Sequence, residues 1–207
     1  MFIKYWINHP TMSNELPDKK DRKIALVVID VQRKFTGGTV QEGKEAIKTM
    51  NAVSKMFREH NRPVIFVHYD GPCHCTAYDK EDGDEYLHGI ISGPKDITVH
   101  KDRMNSFLGS RLADVIKECG CDSILLVGMV TQCCVLGTYF GAFEFNISPY
   151  LLAGGLISTE DKFNDAAYVL CKTFTLEEAE ENLRTTKIPE PTKLYGSVHQ
   201  ICGVAGQ

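Results

Sequence analysis

The sequence predicts a single α/β domain of three-layer α/β/α architecture, with a mostly parallel, Rossmann-like sheet. Short, wholly apolar runs such as Ile24–Ile29 are typical of strands that are buried on both faces. These runs alternate with segments whose apolar residues recur at helical spacing. Strands that alternate with helices form βαβ units, in which the sheet is parallel. A chain of 207 residues is long enough for one such domain, and it shows no internal repeat or linker.

The predicted elements follow one another along the chain in the order expected of βαβ units. Strands are predicted at residues 24–29, 63–67, 97–100, 123–127 and 147–153. Four helical faces are marked by apolar residues: Ala46, Ile47, Met50, Val53 and Phe57; Leu108, Leu112, Val115, Ile116 and Cys119; Val135, Thr138, Tyr139, Ala142 and Phe145; and Phe163, Ala166, Ala167 and Leu170. Residues 158–161 resemble a helix start, and Thr175–Glu178 is a cleaner capping box.

We expect the chain to have three parts. Residues 1–22 are polar, contain two prolines and form an N-terminal arm. The domain itself is predicted over residues 23–186, and residues 187–207, with two prolines and three glycines, read as a C-terminal tail. Terminal segments are often poorly ordered unless they are held by contacts. The alternative is an arm that docks on a neighbouring subunit, which Tyr5 and Trp6 would favour.

Composition excludes several classes of function. The net charge is −4 and no basic run is present, which argues against a nucleic-acid partner. No apolar run approaches the roughly 20 residues that span a bilayer, and the N-terminus lacks the apolar core of a signal peptide. We therefore expect a cytoplasmic protein without a membrane partner. Its eight cysteines are then expected to be reduced thiols.

The segment from Asp70 to Asp96 has little periodicity and carries seven acidic residues against two basic ones. Loops of this length are usually functional or disordered. A solvated surface loop, a substrate lid and a subunit contact are all compatible with this composition.

Three reactive residues fall at predicted strand ends, where sites lie in sheets of this type. Asp30 ends the first strand, Lys101 follows the third, and Cys134 follows the fourth, where the strand turns into a helix. The dipole at a helix start favours an anion and is expected to lower the pKa of a thiol there. A carboxylate can accept the thiol proton, and an ammonium group can adjust the pKa values of both.

Three motifs carry a resemblance to a known family. They are Asp30-Val31-Gln32 with Phe35; Lys101, Arg103, Ser106 and Phe107; and Gly128, Thr131, Cys134 and Val135. In this combination and order, over roughly residues 22 to 186, the chain resembles the isochorismatase-like cysteine hydrolase superfamily. That superfamily includes nicotinamidases, N-carbamoylsarcosine amidase, ureidoacrylate amidase and isochorismatase itself.

The resemblance implies a role for each member of a catalytic triad. Asp30 would be the general base and acid, Lys101 its electrostatic partner, and Cys134, directly before Val135, the nucleophile. Cys133 would be a supporting or packing neighbour. Family members also carry a non-proline cis peptide just before the motif threonine, here Val130–Thr131. It would direct backbone N–H groups of the turn, including that of Cys134, at a substrate oxygen and so form an oxyanion hole.

The implied activity is hydrolysis of a small amide, carbamoyl or ureido compound through a thioester. Isochorismatase itself cleaves a vinyl ether and has no cysteine at this position, so Cys134 favours an amidase-type enzyme. No cofactor is expected, and a homo-oligomer, either dimer or tetramer, is usual in the family. Four residues near the strand ends are candidates for contacting the substrate: Gln32, Phe35, Tyr69 and Gln132.

One departure from the family bears on metal binding. Nicotinamidases hold a metal with an Asp-x-His…His pattern after the second strand, whereas this chain reads His68-Tyr69-Asp70-Gly71-Pro72-Cys73-His74-Cys75, with no histidine two residues after Asp70. We therefore expect no metal and regard nicotinamide as an unlikely substrate. Metal binding by Cys73, His74 and Cys75, with His68 or the Cys119 and Cys121 pair, stays open, although their spacing is not that of common zinc sites.

Two competing functions follow from the same residues. The first is a non-catalytic scaffold that keeps the fold and acts through an assembled interface. The second is a thiol redox or metal protein that uses Cys133 and Cys134 or the cluster at 73–75. The presence of all three triad residues argues against the scaffold, and the lack of a C-x-x-C argues against redox chemistry.

Overall fold

The computed structural model describes residues 21–36, 43–71 and 81–188. Its centre is a sheet of six parallel strands in the order β3-β2-β1-β4-β5-β6. The strands are β1 (Ile24–Ile29), β2 (Val64–Tyr69), β3 (Ile97–Lys101), β4 (Ser123–Met129), β5 (Ser148–Ile157) and β6 (Thr173–Phe174). The predicted parallel sheet is thus confirmed.

Helices cover both faces of the sheet. They are α1 (Lys44–Glu59), α2 (Leu112–Glu118), α3 (Leu136–Ala142), α4 (Asp161–Leu170) and α5 (Leu176–Thr185). Residues of α1 and α5 pack with Leu26 and Val28 of β1, whereas residues of α2, α3 and α4 pack with Ala25 and Val27. Successive strand residues point to opposite faces, so one buried strand supplies both layers of core.

Most predicted elements are present, and the differences have local causes. Leu108 is 48% exposed because α2 begins only at Leu112. On α4 only Ala167 is fully buried, and Leu170 is 45% exposed. The prediction of a broad buried face on α4 was therefore wrong, since this helix packs only by a narrow strip against β5 and the turn after β4. The box at Thr175 is confirmed: its hydroxyl accepts from the Glu178 N–H, and the Glu178 side chain accepts from the Thr175 N–H.

Backbones of β1 and β4 approach closely at the edge of the sheet where the strands end. Gly128 pairs with Ile29, and its φ is +119°. A Cβ at position 128 would lie 2.2 Å from the Ile29 carbonyl oxygen. Only glycine therefore fits here, and it lets the ends of the two central strands lie side by side.

The chain enters and leaves the domain at one place, next to the start of β1. The Arg22 N–H donates to the Thr186 carbonyl at 2.7 Å, and Asp21 pairs with Lys187 in an antiparallel bridge. The buried Asn182 amide donates to the carbonyls of Arg22 and Lys187. The rest of the predicted arm and tail lies outside the described residues. Within the described ranges, no helix has both the length and the apolar character needed to cross a membrane.

Candidate active site

The site is built at the carboxyl edge of the sheet, beyond β1, β3 and β4. Asp30 directly follows β1 and is 1% exposed. Its φ is +49°, a left-handed conformation that aspartate tolerates better than most residues. The Asp30 N–H donates to the Val67 carbonyl at 3.0 Å, and its carbonyl accepts from the Gln32 N–H at 2.7 Å. These bonds hold the backbone that carries the carboxylate.

Lys101 ends β3 and reaches across β2 to this carboxylate. Its Nζ lies 2.7 Å from Asp30 Oδ2, and neither side chain is more than 1% exposed. The same ammonium donates to the Met104 carbonyl at 3.2 Å and lies 5.7 Å from the centre of the Tyr69 ring. Burial raises the pKa of Asp30, and the nearby Lys101 charge only partly offsets this. The carboxyl group is therefore prepared to accept a proton more readily than an exposed aspartate.

Cys134 joins this pair from the turn that follows β4. Residues Thr131–Val135 form one π-helical turn, which α3 continues. Cys134 is partly buried, and its thiol lies close enough to Asp30 and Lys101 for the charges of both side chains to act on it. The structure thus brings together all three residues that the sequence placed at separate strand ends.

The protonation of Cys134 differs from the expectation. Burial, followed by the charge of Asp30, raises its pKa to about 12. The predicted lowering by a helix dipole was wrong, because Cys134 is the fourth residue of the turn and lies against a buried carboxylate. At neutral pH the resting group is a thiol whose proton has an acceptor beside it.

The non-proline cis peptide bond joins Met129 to Val130, so the predicted position, Val130–Thr131, was wrong by one residue. The chain changes direction where β4 ends, before the turn begins. The Val130 carbonyl, next along the chain, accepts from the N–H groups of Cys133 at 3.0 Å and Val135 at 3.4 Å. The Val130–Thr131 peptide, which was the predicted cis bond, thus supplies the carbonyl group that accepts the hydrogen bonds of the turn.

Side-chain contacts fix the turn to β5 and α4. The buried Thr131 hydroxyl donates to the Ile157 carbonyl at 3.0 Å or to Asn164 Oδ1 at 2.6 Å. Gln132 Nε2 donates to Thr159 Oγ1 at 2.8 Å. The prediction that Gln132 contacts substrate stays a prediction.

The other three substrate-contact candidates lie together at the ends of β1 and β2. Gln32 is fully buried; its Oε1 accepts from the Tyr69 N–H at 2.8 Å and its Nε2 donates to the Tyr69 carbonyl at 3.1 Å. The Phe35 and Tyr69 rings meet edge to face, with centroids 5.7 Å apart. Gln32 thus connects the ends of β1 and β2 through its hydrogen bonds to Tyr69. The Tyr69 ring in turn lies near the Lys101 ammonium.

The described part of the long loop is fastened over the end of β1. The Arg33 N–H donates to the Glu85 carbonyl, and the Leu87 N–H donates to the Val31 carbonyl, both at 2.9 Å. The Arg33 side chain forms ion pairs with Asp82 and Glu85. Residues 81–87 thus cover the edge of the sheet beside Asp30. This part of the segment packs on the domain and is not a purely solvated surface loop.

Sequence reasoning missed a second cluster at this edge. His68, Asp70 and His100 lie together, with each imidazole Nδ1 within 3.0 Å of Asp70 Oδ1. Parallel pairing of β2 and β3 places His68 opposite His100. A comparison of the two predicted strands could have revealed this pairing. Cys73, His74 and Cys75 lie outside the described residues.

Comparisons with known proteins agree with this architecture. The family model described as Isochorismatase domain matches residues 24–177. An uncharacterized isochorismatase family protein of Bacillus subtilis (strain 168) is 23% identical over a 157-residue alignment that covers 72% of this chain and 84% of that protein.

Three solved structures share the fold. A cysteine hydrolase from Pseudomonas syringae pv. phaseolicola 1448A has a TM-score of 0.66 and 17% identity, covering 79% of this chain and 93% of that one. N-carbamoylsarcosine amidase from Thermoplasma acidophilum has a TM-score of 0.62 and 23% identity, covering 74% and 95%. An isochorismatase family protein from Burkholderia thailandensis has a TM-score of 0.68 and 22% identity, covering 79% and 96%.

Proposed function

The chain belongs to the isochorismatase family, and from this premise we propose that it is a cysteine-dependent hydrolase of small amide, carbamoyl or ureido compounds. The observation that carries the proposal is the buried Asp30–Lys101 ion pair, placed near enough to the Cys134 thiol to act on its protonation. A nucleophile beside a base, with the base oriented by a third group, is the arrangement of covalent catalysis. The similar fold of an N-carbamoylsarcosine amidase supports the amide and carbamoyl class.

In the first step, Asp30 accepts the Cys134 proton as the sulfur attacks the substrate carbonyl carbon. The raised pKa of Asp30 makes this transfer less unfavourable, and general base catalysis of this kind contributes about 10²–10⁴-fold. Lys101 holds the carboxyl group in place through its ion pair. Because the thiol is neutral in the resting protein, no buried thiolate has to be stabilised before the substrate binds.

We assign the Cys134 N–H as an oxyanion donor. The N–H groups on either side of it, those of Cys133 and Val135, donate to the Val130 carbonyl. A donor of this kind is worth about 10²–10³-fold in turnover. When the tetrahedral intermediate collapses, Asp30 returns the proton to the leaving amine and a thioester forms on Cys134. Water then attacks the thioester carbon as Asp30 accepts one proton of that water. The C–S bond breaks, the acid product leaves, and Asp30 returns the proton to the Cys134 sulfur.

The test is release of ammonia or amine from a panel of small primary amides, N-carbamoyl amino acids and ureido acids. Wild-type protein and Cys133→Ala are expected to turn over the same member of the panel, whereas Cys134→Ala is not. Hydroxylamine added during turnover should trap the acyl group as a hydroxamate, since thioesters react readily with it. Turnover that survives Cys134→Ala would refute the thioester route. Cleavage confined to esters or vinyl ethers would refute the amidase assignment.

We further propose that the protein is a homo-oligomer and that it is cytoplasmic. Several large apolar side chains are exposed in the single chain: Ile91, Met104, Leu108, Phe140, Val169 and Leu170. An interface between subunits would bury such groups. The five cysteines of the described ranges are free thiols, which a reducing compartment would preserve. Light scattering coupled to gel filtration tests the first proposal, since a monomeric mass would contradict it.

A further inference from the structure

Outside the triad, the described residues contain one compact group of side chains with ligand chemistry. His68 and Asp70 come from the end of β2, and His100 comes from β3. The His68 Nδ1 lies 2.8 Å from Asp70 Oδ1, and the His100 Nδ1 lies 3.0 Å from the same oxygen. One potential ligand atom from each of the three residues lies within 4.8 Å of the other two. The hydrolytic steps proposed above use none of these groups.

The backbone explains why the three side chains converge. His68 and His100 are partners in the parallel register of β2 and β3, so their rings stand side by side with centroids 5.2 Å apart. The Asp70 N–H donates to the Lys101 carbonyl at 2.8 Å, which ties the acidic residue to the end of β3. The two histidines therefore stand on adjacent strands, and Asp70, which directly follows β2, is held beside them by its backbone hydrogen bond to the end of β3.

A neighbouring carbonyl group suits the outer side of His68. Its Nε2 lies 3.1 Å from the Asp84 carbonyl oxygen, at hydrogen-bond distance. Metal-binding histidines almost always donate their second ring N–H to such an acceptor, which fixes the ring and frees the other nitrogen as a ligand. Gln32 Nε2 also lies near the His68 Nε2 atom. Its own N–H groups have two other acceptors, the Tyr69 carbonyl and Asp84 Oδ1. With Nε2 protonated, the Nδ1 lone pair of His68 points at the Asp70 carboxylate.

We propose that His68, Asp70 and His100 bind a divalent transition-metal ion such as Zn²⁺. Two imidazole nitrogens and one carboxylate oxygen favour such ions over Mg²⁺ or Ca²⁺, which prefer oxygen ligands alone. Three protein ligands leave a coordination position for water or another small ligand. The order of the ligands is His-x-Asp, followed by a histidine on the next strand. It differs from the Asp-x-His…His pattern of nicotinamidases.

The distances are compatible with coordination. Zinc bonds of about 2.0–2.2 Å at tetrahedral angles place neighbouring ligand atoms about 3.3 Å apart. The two nitrogen–oxygen separations are a few tenths of an ångström shorter, and all three ligand atoms lie within 4.8 Å of one another, so one ion can contact all three after side-chain adjustment. Asp70 and His100 are each more than half exposed, so an ion can reach the cluster from solvent.

The test is calorimetric titration of ZnCl₂ into full-length protein that has been treated with EDTA and transferred to chelator-free buffer. We expect one saturable equivalent in the wild type and affinity at least about tenfold lower in His100→Ala and in Asp70→Ala. His60→Ala is the matched control, because His60 lies at the end of α1 and its ring contacts the Met56 carbonyl. It should bind as the wild type does, and MgCl₂ should give no saturable heat.

A second variant separates this site from the nearby thiols. Cys73→Ser/Cys75→Ser should retain the equivalent, and its Co²⁺ complex should lack the intense sulfur-to-cobalt absorption of thiolate ligands. Three results would overturn the proposal: only weak, non-stoichiometric uptake by the wild type, unchanged affinity in both His100→Ala and Asp70→Ala, or loss of binding in the double cysteine variant. Because the readout is metal binding, failure here would leave the proposed hydrolase activity unaffected, and failure of that activity would leave this site untouched.

Discussion

Lys101 Nζ lies 2.7 Å from Asp30 Oδ2, and both side chains are removed from solvent. A buried ion pair is not in itself a strong source of stability, but removing one partner leaves an uncompensated buried charge. Here the pair also lies against the Cys134 thiol. The Asp30–Lys101 ion pair therefore affects both the stability of the fold and the protonation of the Cys134 thiol.

Replacing Lys101 with methionine should lower the free energy of unfolding by about 3–5 kcal/mol, because the Asp30 carboxylate would lose its buried counter-charge. Urea unfolding followed by circular dichroism would measure the change. The double variant Asp30→Asn/Lys101→Met should lose less than the sum of the two single variants, since it leaves no unpaired charge. Simple additivity would show that the two side chains are not coupled.

Alkylation of Cys134 by iodoacetamide should be slow in the free protein at pH 7. With a pKa of about 12 in place of 9.0, its thiolate fraction is on the order of 10²–10³ lower than that of an ordinary thiol. The rate should rise about tenfold per pH unit above neutrality for as long as the fold persists. Mass spectrometry resolves Cys134 from Cys133, and a cysteine peptide serves as the reference.

Asp30→Asn should make Cys134 easier to alkylate while abolishing turnover. The Asp30 charge is the second-largest cause of the raised thiol pKa, so removing it lowers that pKa and increases the thiolate fraction. The variant has nevertheless lost its proton acceptor. If alkylation and turnover fell together, Asp30 would be needed mainly to hold the site in shape.

Gly128→Ala should destabilise the protein by about 3–5 kcal/mol, because the new Cβ would meet the Ile29 backbone, which cannot move aside, at a positive φ. The matched control is Gly120→Ala. Gly120 also has a positive φ, +66°, but nothing lies within 4 Å of its Cβ position. Its cost should be about 1–2 kcal/mol. Equal losses of unfolding free energy would mean that backbone conformation, and not the close approach of β1 and β4, sets the requirement.

Arg33→Ala should expose residues 81–87 to proteolysis. The Arg33 side chain pairs with Asp82 and Glu85 and donates to the Tyr86 carbonyl at 3.2 Å. Loss of these contacts should raise the rate of cleavage in this segment on the order of tenfold. Limited thermolysin digestion, followed by mass spectrometry, measures this rate. Arg111→Ala, which removes only an exposed pair with Glu118, should leave the digestion pattern unchanged.

Predictability from sequence depended on how much each element is buried. The run Ile24–Ile29 is buried at every position, and its apolar character gave the strand bounds correctly. The α4 face was overestimated because Ala166 and Leu170 are apolar but exposed in the single chain, and Phe163 is only partly buried. The strand β6 was not predicted. It has only two residues, which are too few to show an apolar pattern, and its position depends on pairing with β5.

The grouping of Asp30, Lys101 and Cys134 was predictable because the sheet is parallel, which brings the ends of its strands to one edge. Protonation was not predictable: the pKa of Cys134 depends on how deeply the thiol is buried and on its distance from Asp30, both of which arise from tertiary packing. His100 was overlooked for a related reason. It becomes notable only when β2 and β3 are aligned and His68 is found opposite it.

The hydrogen bond between Arg22 and Thr186 has a practical consequence for engineering. Since the chain enters and leaves the domain side by side, a short peptide could join residues 187 and 21, and new termini could be opened elsewhere as a circular permutant. The junction lies at the start of β1, whereas Asp30 lies at its other end, about 20 Å away for a strand of this length. Fluorophores or affinity handles attached at residue 21 or 187 would therefore lie well away from Asp30.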